Sequence, residues 1–443
     1  MTTDAYAAAH ARWPHLRLTA MGAGLTALTA AGPTLHLTYG GWALMLIFAA
    51  GGAGALLASQ TVATADQRGA LIVILVAAAA MRLALLFAEP YLSTDIYRYV
   101  WDGRVQAAGI NPYRYVPSAP EVAHLRDGTI FPNINRADYA VTIYPPAAQA
   151  AFLAITRFGE SVVPMKLGLL AFEAATIAAL IALLYRLGNP VTRVAAYAWH
   201  PLAVWEIAGS GHVDIAMCAL LMAGLLLFLH GRTLLAGVAV TLGALVKPTA
   251  LLALPVLWRP WSWRLPLVVA ATALLAYLPY LSVGSGVFGF LGGYIDEEGL
   301  ASGNGIAFLR LIELAAGPIS KSAGVYAAVS AAILIGLALA AGFRTDRSDR
   351  AALAWLGWLL VAFLILASPH YPWYFLALVP MLALSPSVTA WVLTLGCALL
   401  YDSVGGTGWP GYDARICLFT LATAGALVVD GQSIRHSAKG ETR

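Results

Sequence analysis

Charge is scarce in this chain. Only 11% of its 443 residues are Asp, Glu, Lys or Arg, against 60% hydrophobic ones, and the mean hydropathy is +0.76. That balance excludes a water-soluble core of this length and predicts an all-α polytopic membrane protein. The strict apolar–polar alternation of an outer-membrane barrel is lacking, as are low-complexity tracts, long linkers and a convincing internal repeat. Cysteine is nearly absent. Cys218, Cys397 and Cys417 fall within or beside apolar segments, which predicts packed thiols and no disulfide framework. The net charge of +4 is spread over connections on one side of the membrane, which leaves no basic patch for nucleic acid.

What the chain has in quantity is apolar runs. About fourteen segments are expected, near residues 17–35, 40–58, 70–89, 163–186, 191–208, 214–230, 232–247, 249–258, 266–283, 322–341, 352–368, 372–385, 387–402 and 413–430. Two or three are short enough to be re-entrant. Arg12, Arg17, Arg68, Arg186, Arg193, Arg232, Arg259, Arg264, Arg344, Arg347, Arg350, Arg435, Lys439 and Arg443 all fall on one side, which the positive-inside rule makes cytoplasmic. Both termini are expected there, and the first apolar stretch, without a small-residue cleavage site, reads as a retained helix. One transmembrane domain over 1–443 is expected, with two connections long enough for structure, 90–144 and 284–321, both on the outer face.

The scarce charge is concentrated in the first of these, in STDIYRYVWDGRVQAAGINPYRY (93–115). Ser93 and Thr94 are helix-capping types, and residues 96–108 hold no Pro and a single Gly, so a short interfacial helix is predicted. Tyr97, Tyr99 and Trp101 suit an interface. Asp95, Arg98 and Asp102, at i, i+3 and i+7, fall on one helical face. A carboxylate at the mouth of a membrane cavity could accept a proton from a sugar hydroxyl while nearby cations hold a phosphate leaving group. The alternative is structural: Asp95 caps the helix, and Asp102 pairs with an arginine.

STDIYRYVWDGR (93–104), GINPY (109–113) and IYPP (143–146) resemble the first outer loop of the GT-C glycosyltransferases. The likeness is to bacterial mannosyltransferase-type members that use polyprenyl-phosphate sugars. GSGHVD (209–214), LVKP (245–248) and SPHYPWY (368–374) resemble later motifs of the same group, so the likeness covers most of the chain. It implies a GT-C bundle of about 12–14 transmembrane helices, a polyprenyl-phosphate-linked sugar donor with mannose as the sugar, a lipid or glycan acceptor, and inversion. The essential acid of that group, early in the first outer loop, maps to Asp95 as general base. The chain departs from the simplest family pattern in placing three hydrophobic segments, instead of one, before this loop. A helix starting at Pro146 is expected to be too short to span and to dip into the outer leaflet.

Cations on the outer side are candidates for the donor phosphate. Lys247 ends an apolar helix before Pro248, and His370 stands in an aromatic cluster with Tyr371, Trp373 and Tyr374. Their structural alternatives are a snorkelling lysine and an aromatic belt. Arg310 is the third candidate, with Lys166 and Lys321 weaker ones. Arg98, Asp102, Tyr144, His212, Asp214 and Tyr371 are the candidates for contact with substrate. No metal or other cofactor is expected: a monophosphate leaving group can be neutralised by Lys, Arg and His, and Asp296-Glu297-Glu298 reads as a solvated loop. Arg82, buried in the third segment, needs a partner, and Glu173 in the fourth lies at a depth an arginine can reach, so a structural ion pair is predicted. The competing class is a transporter or flippase of lipid-linked sugars, with the intramembrane charges as its path.

Overall fold

The computed structural model describes residues 3–61, 67–90, 92–260, 262–299, 303, 306–317, 322–401 and 408–438, and within them all regular structure is helical. Lys321, Lys439 and Arg443 lie outside these residues. Among the described residues seven helical stretches are long and apolar enough to cross a membrane: Gly41–Gln60, Gln67–Leu86, Val162–Arg186, Arg264–Glu297, Ala323–Gly342, Asp349–Ala367 and Tyr412–His436. Shorter apolar helices fill the spaces between them. The protein is a multi-pass, all-helical membrane protein.

Helix α1 (Thr3–Tyr39) turns at Gly40 into α2 (Gly41–Gln60), and α1 packs against both α2 and α3 (Gln67–Leu86). Two short helices follow, α4 (Asp95–Ala107) and α5 (Pro146–Thr156), and then α6 (Val162–Arg186). The eleven residues of α5 rise only about 16 Å, too little to cross about 30 Å of hydrocarbon. Proline suits its first position, where no helical N–H bond is lost. Helix α4 lies directly on α5: a Cβ at Gly103 would stand 2.5 Å from Thr156 Cγ2 and 2.6 Å from the Phe152 carbonyl. The absent side chain lets the two backbones approach, as small residues do at membrane helix contacts.

The segment expected at 191–208 differs most from expectation. It is broken into a 3-10 turn (Val191–Val194), an α turn (Ala195–Ala198), a further turn (Pro201–Ala203) and a π-helical turn (Val204–Gly209). Pro201 carries no N–H and holds His200 in extended backbone at φ −63°, ψ 126°. The Leu202 N–H turns to His200 Nδ1 at 3.3 Å. Ala198 thereby loses the donor that would have closed its helical turn, and Arg82 Nη1 donates to that carbonyl instead.

The same guanidinium forms the predicted pair with Glu173. Nε lies 3.2 and 3.1 Å from the two carboxylate oxygens and Nη2 lies 2.5 Å from Oε1, with both side chains buried. Arg82 thus neutralises a buried acid and satisfies the broken helix at once. Removing one partner of such a pair costs about 3–5 kcal/mol, because the other charge stays buried.

The expected outer connection 284–321 also begins differently. The helix starting at Arg264 continues through Leu278–Phe288, kinks at Gly284 (φ 58°) and ends in Leu291–Glu297, with Ala307–Ala316 beyond. The positive φ at Gly284, open to glycine, lets the helical path change direction. The core runs through residues 192–229, nearly all of them buried. Peripheral helices turn Leu267, Leu274, Val325, Ile335 and Leu421 outward, the pattern of surfaces facing lipid tails. Cys218 and Cys397 are buried, Cys417 half-buried, and all three are free thiols.

One end of the bundle gathers the conspicuous motifs. The N–H groups of Ala147 and Ala148 donate to the Leu245 carbonyl at 3.1 and 3.3 Å, which ties the start of α5 to the turn before Lys247. The opposite end carries Arg186, 3.8 Å from Asp349, and Arg344, which donates to the Val256 carbonyl at 2.9 Å.

Candidate active site

Helix α4 begins at Asp95, and its N-cap residue, Thr94, makes no side-chain capping bond. The Asp95 N–H donates to Ser93 Oγ at 3.2 Å, and the Asp95 carboxylate, at the first helical position and not the N-cap, turns to partners outside the helix. One oxygen accepts from Asn135 Nδ2 at 3.0 Å; the other stands 3.9 Å from His212 Nε2, and the side chain is 21% exposed. An acidic residue in a first helical turn is favoured by the helix dipole.

His212 is brought there by a turn that only glycine fits. Gly211 has φ +75°, and a Cβ on it would stand 2.3 Å from Ile96 Cδ1 in the first turn of α4. The His212 N–H donates to the Glu206 carbonyl at 2.9 Å, and Nδ1 of its ring lies 2.7 Å from Glu206 Oε2. Glu206 itself is wholly buried in the π turn and accepts from the Tyr401 hydroxyl. Burial works against a charged His212, but Glu206 foremost, then Asp95 and Asp214, overcome it and raise the imidazole above its usual 6.5.

A π-stacked wall runs outward from this histidine. Trp373 stacks on His212 at 4.2 Å, and Tyr371 on Trp373 at 4.6 Å. Beside it Lys247 Nζ lies 2.7 Å from Asp214 Oδ1 and 3.8 Å from the centre of the Tyr374 ring. The Tyr374 hydroxyl in turn meets that of Tyr294 at 2.7 Å. Tyr99 and Tyr144 meet edge to face at 5.0 Å. Burial, and then the charge of Asp95, push both hydroxyls well above their usual value, so they stay protonated donors. Among the described residues no group of three or more His, Cys, Asp or Glu could hold a metal ion.

The outermost layer joins three parts of the chain. Arg136, in the first long connection, lies 2.5 Å from Glu297 and 3.4 Å from Glu298. The Tyr371 hydroxyl donates to Glu298 at 3.1 Å, and His370 Nδ1 lies 3.9 Å from the same carboxylate. The acidic run expected to be solvated is therefore engaged, because Arg136 and Tyr371 reach it from two sides.

Two expected substrate contacts are placed elsewhere. Arg98 and Asp102 do not share the Asp95 surface; both are buried, with Arg98 Nε 2.9 Å from Asp102 Oδ1 and Nη1 on the Ala140 carbonyl at 3.1 Å. Asp102 Oδ2 accepts from Thr142 at 2.5 Å and Gln149 at 3.0 Å. The network braces α4 against α5 and the end of the long connection. Arg310 lies on an exposed helix with its guanidinium 3.2 Å from both oxygens of Asp413, and Lys166 donates to the carbonyl of Ala88 at 2.6 Å. Tyr144, His212, Asp214, Lys247 and Tyr371 fall in or beside the Asp95 cluster, while His370 stands at its rim.

Glu206, Asn135 and Tyr401 escaped the sequence reading. A signal for Glu206 existed: it is the lone acid in the apolar run 191–208, and an ionisable residue in such a run is a site candidate. Asn135 and Tyr401 carried none, since their roles arise from contacts across 40 and 195 residues of chain.

A multi-pass helical bundle with an Asp–His–Glu cluster and a lysine at one end defines the class. Residues 6–263 match the family described as alpha-(1->6)-mannopyranosyltransferase, N-terminal domain, and the chain belongs to that family. The match includes Asp95, Glu206, His212, Asp214 and Lys247. The chain is also 26% identical over 325 residues to alpha-(1->6)-mannopyranosyltransferase A of Mycobacterium tuberculosis, across 66% of this chain and 61% of that protein. It thus spans about three-fifths of the length of that relative. No solved structure matches.

Proposed function

We propose that this protein is a membrane mannosyltransferase that moves mannose from a polyprenyl-phosphate carrier to an acceptor hydroxyl on a lipid or glycan, with Asp95 as general base. The observation that carries the reading is the state of Asp95. It is a partly exposed carboxylate with one hydrogen-bond donor, facing a cluster in which Asp214 and Asp102 are already engaged by Lys247 and Arg98. Family membership supplies the sugar and the reaction class.

In the proposed step the acceptor O–H gives its proton to Asp95 as its oxygen bonds to the anomeric carbon. The bond from that carbon to the phosphate oxygen breaks, and its electron pair leaves with the phosphate. A single displacement inverts the configuration. Lys247 shares its charge between Asp214 and the departing phosphate, with His370 at the rim as a further donor. The Tyr371–Trp373 wall offers the sugar an apolar face. Arg310 is left out of the site because Asp413 holds it, and Arg98 and Asp102 act as supports.

The distribution of arginines favours a periplasmic or extracellular position for this end of the bundle and cytoplasmic termini. The lipid tail of the donor then enters sideways between helices. Transfer of labelled mannose from its polyprenyl phosphate in detergent, where transport has no meaning, tests the reading. Asp95→Asn should lower transfer by about 10²–10⁴-fold; full transfer by that variant would refute Asp95 as the base.

A further inference from the structure

The geometry points to Glu206 and His212 acting as one positioning unit for Asp95: the buried glutamate fixes the imidazole, and the imidazole holds the Asp95 carboxylate in the orientation that meets the acceptor hydroxyl. The inference rests on Asp95 being the base. Three independent features support it.

The first is the chain of distances. Glu206 Oε2 stands 2.7 Å from His212 Nδ1, and His212 Nε2 stands 3.9 Å from Asp95 Oδ2. An imidazole held between two carboxylates is favoured as the imidazolium, with N–H groups on both ring nitrogens, so the charge contact with Glu206 on Nδ1 orients the ring and turns Nε2–H toward Asp95 as its ion-pair partner. The second is construction. Local winding around Glu206 is π-helical, a rare form that concentrates at functional sites, and it sets the Glu206 carbonyl to accept the His212 N–H at 2.9 Å. Gly211 admits the turn and the contact with Ile96 together. The third is burial. Glu206 is 0% and His212 1% exposed, with Trp373 stacked over the ring, so neither is placed to serve merely as a surface ion pair. A buried carboxylate is costly to retain for stability alone.

The unit resides in the broken segment. Had 191–208 continued as a regular α-helix, Glu206 and His212 would lie six residues apart on different faces. The π turn and the reversal at Gly211 (φ +75°) together bring them to 2.7 Å.

Steady-state transfer of labelled mannose from polyprenyl-phosphate mannose provides the test. Glu206→Gln and His212→Gln should each lower kcat by about 100-fold, as misplacement of a reacting group does, with the donor KM unchanged. The double variant should be no slower than the worse single one, because the two residues act as a unit. In the Asp95→Asn background, loss of His212 should reduce the residual rate no further. A rise in KM at unchanged kcat would overturn the proposal in favour of direct substrate contact, and additive losses accompanied by lower melting temperatures would overturn it in favour of packing alone.

If Glu206→Gln does not accumulate as folded protein, Glu206→Asp and His212→Asn carry the same comparison, with Glu206→Asp expected to be the more active. Full activity in both would overturn the unit. The two readings fail separately. An active Asp95→Asn protein removes the base, whereas an inactive one beside fully active Glu206 and His212 variants removes only the positioning unit.

Discussion

Asp95 and Asp102 sit on the same short helix, two turns apart, and have opposite surroundings. Asp102 is 1% exposed and accepts from Arg98, Thr142 and Gln149; Asp95 is partly exposed, accepts from Asn135 and faces a histidine at 3.9 Å. A carboxylate whose lone pairs are all occupied by fixed donors is a structural part. One that is partly exposed and accepts from a single donor is available for chemistry. The helical periodicity that puts the two near one face in sequence does not distinguish them, because their difference comes from α5, the 135–142 segment and the His212 turn.

The comparison can be broken most sharply by exchanging the two behaviours. Asp95→Asn should abolish nearly all transfer, about 10²–10⁴-fold, while its melting temperature in detergent stays that of the parent. If stability fell and activity did not, the assignment of roles would be reversed.

Arg82→Leu sets a reference for what a purely structural charge is worth. It strands Glu173 and frees the Ala198 carbonyl, so a loss of about 3–5 kcal/mol in unfolding free energy is expected. An unchanged unfolding transition would show that the pair contributes nothing. Asp102→Asn should behave like this reference and unlike Asp95. One acceptor oxygen becomes a donor facing Arg98 or Thr142, which costs about 1–3 kcal/mol, with activity lowered only as far as α4 shifts. A variant as inactive as Asp95→Asn but equally stable would place Asp102 in the chemistry.

The smallest effect should come from Asp127, near the far end of α4. Burial opposes its charge, but the N–H groups of Ile130, Phe131 and Thr129 together with Arg104 hold the carboxyl at about 2, below its usual 3.8. Because the folded value is depressed, its contribution to stability is complete above pH 3.8 and is lost as pH falls toward about 2. Asp127→Asn should therefore lower the melting temperature modestly at neutral pH, where that contribution is complete, flatten the acid limb in that window, and converge with the parent near pH 2. An acid limb as steep as that of the parent would show that Arg104, which also pairs with Glu160 at 2.9 Å, anchors the helix without Asp127.

Much of this molecule was legible in its residues. The apolar runs specify the helical membrane class, the charge island specifies α4, and the depths of Arg82 and Glu173 specify their pairing. That Asp102 pairs with an arginine was open to the sequence as an alternative, since Arg98 lies four residues away, but what buries that pair and what holds Arg310 was not: Ala140, Gln149 and Asp413 are all distant in sequence. Glu206 was visible as an anomaly, yet its role depended on the break at Pro201 and the π turn that follows, which hydropathy reads as one continuous segment.

The sequence by itself determined that the chain lies in a membrane as helices, that its few charges are concentrated at one connection, and that Asp95 stands in a motif of a glycosyltransferase. The first two follow from local composition and spacing, which act over one or two turns of chain; the third rests on the resemblance of short motifs to a family. Tertiary structure decided that Asp102 is buried among three donors while Asp95 stays partly exposed with one. Hydrogen-bond partners and burial are set by segments up to 195 residues apart, and no local pattern records those contacts.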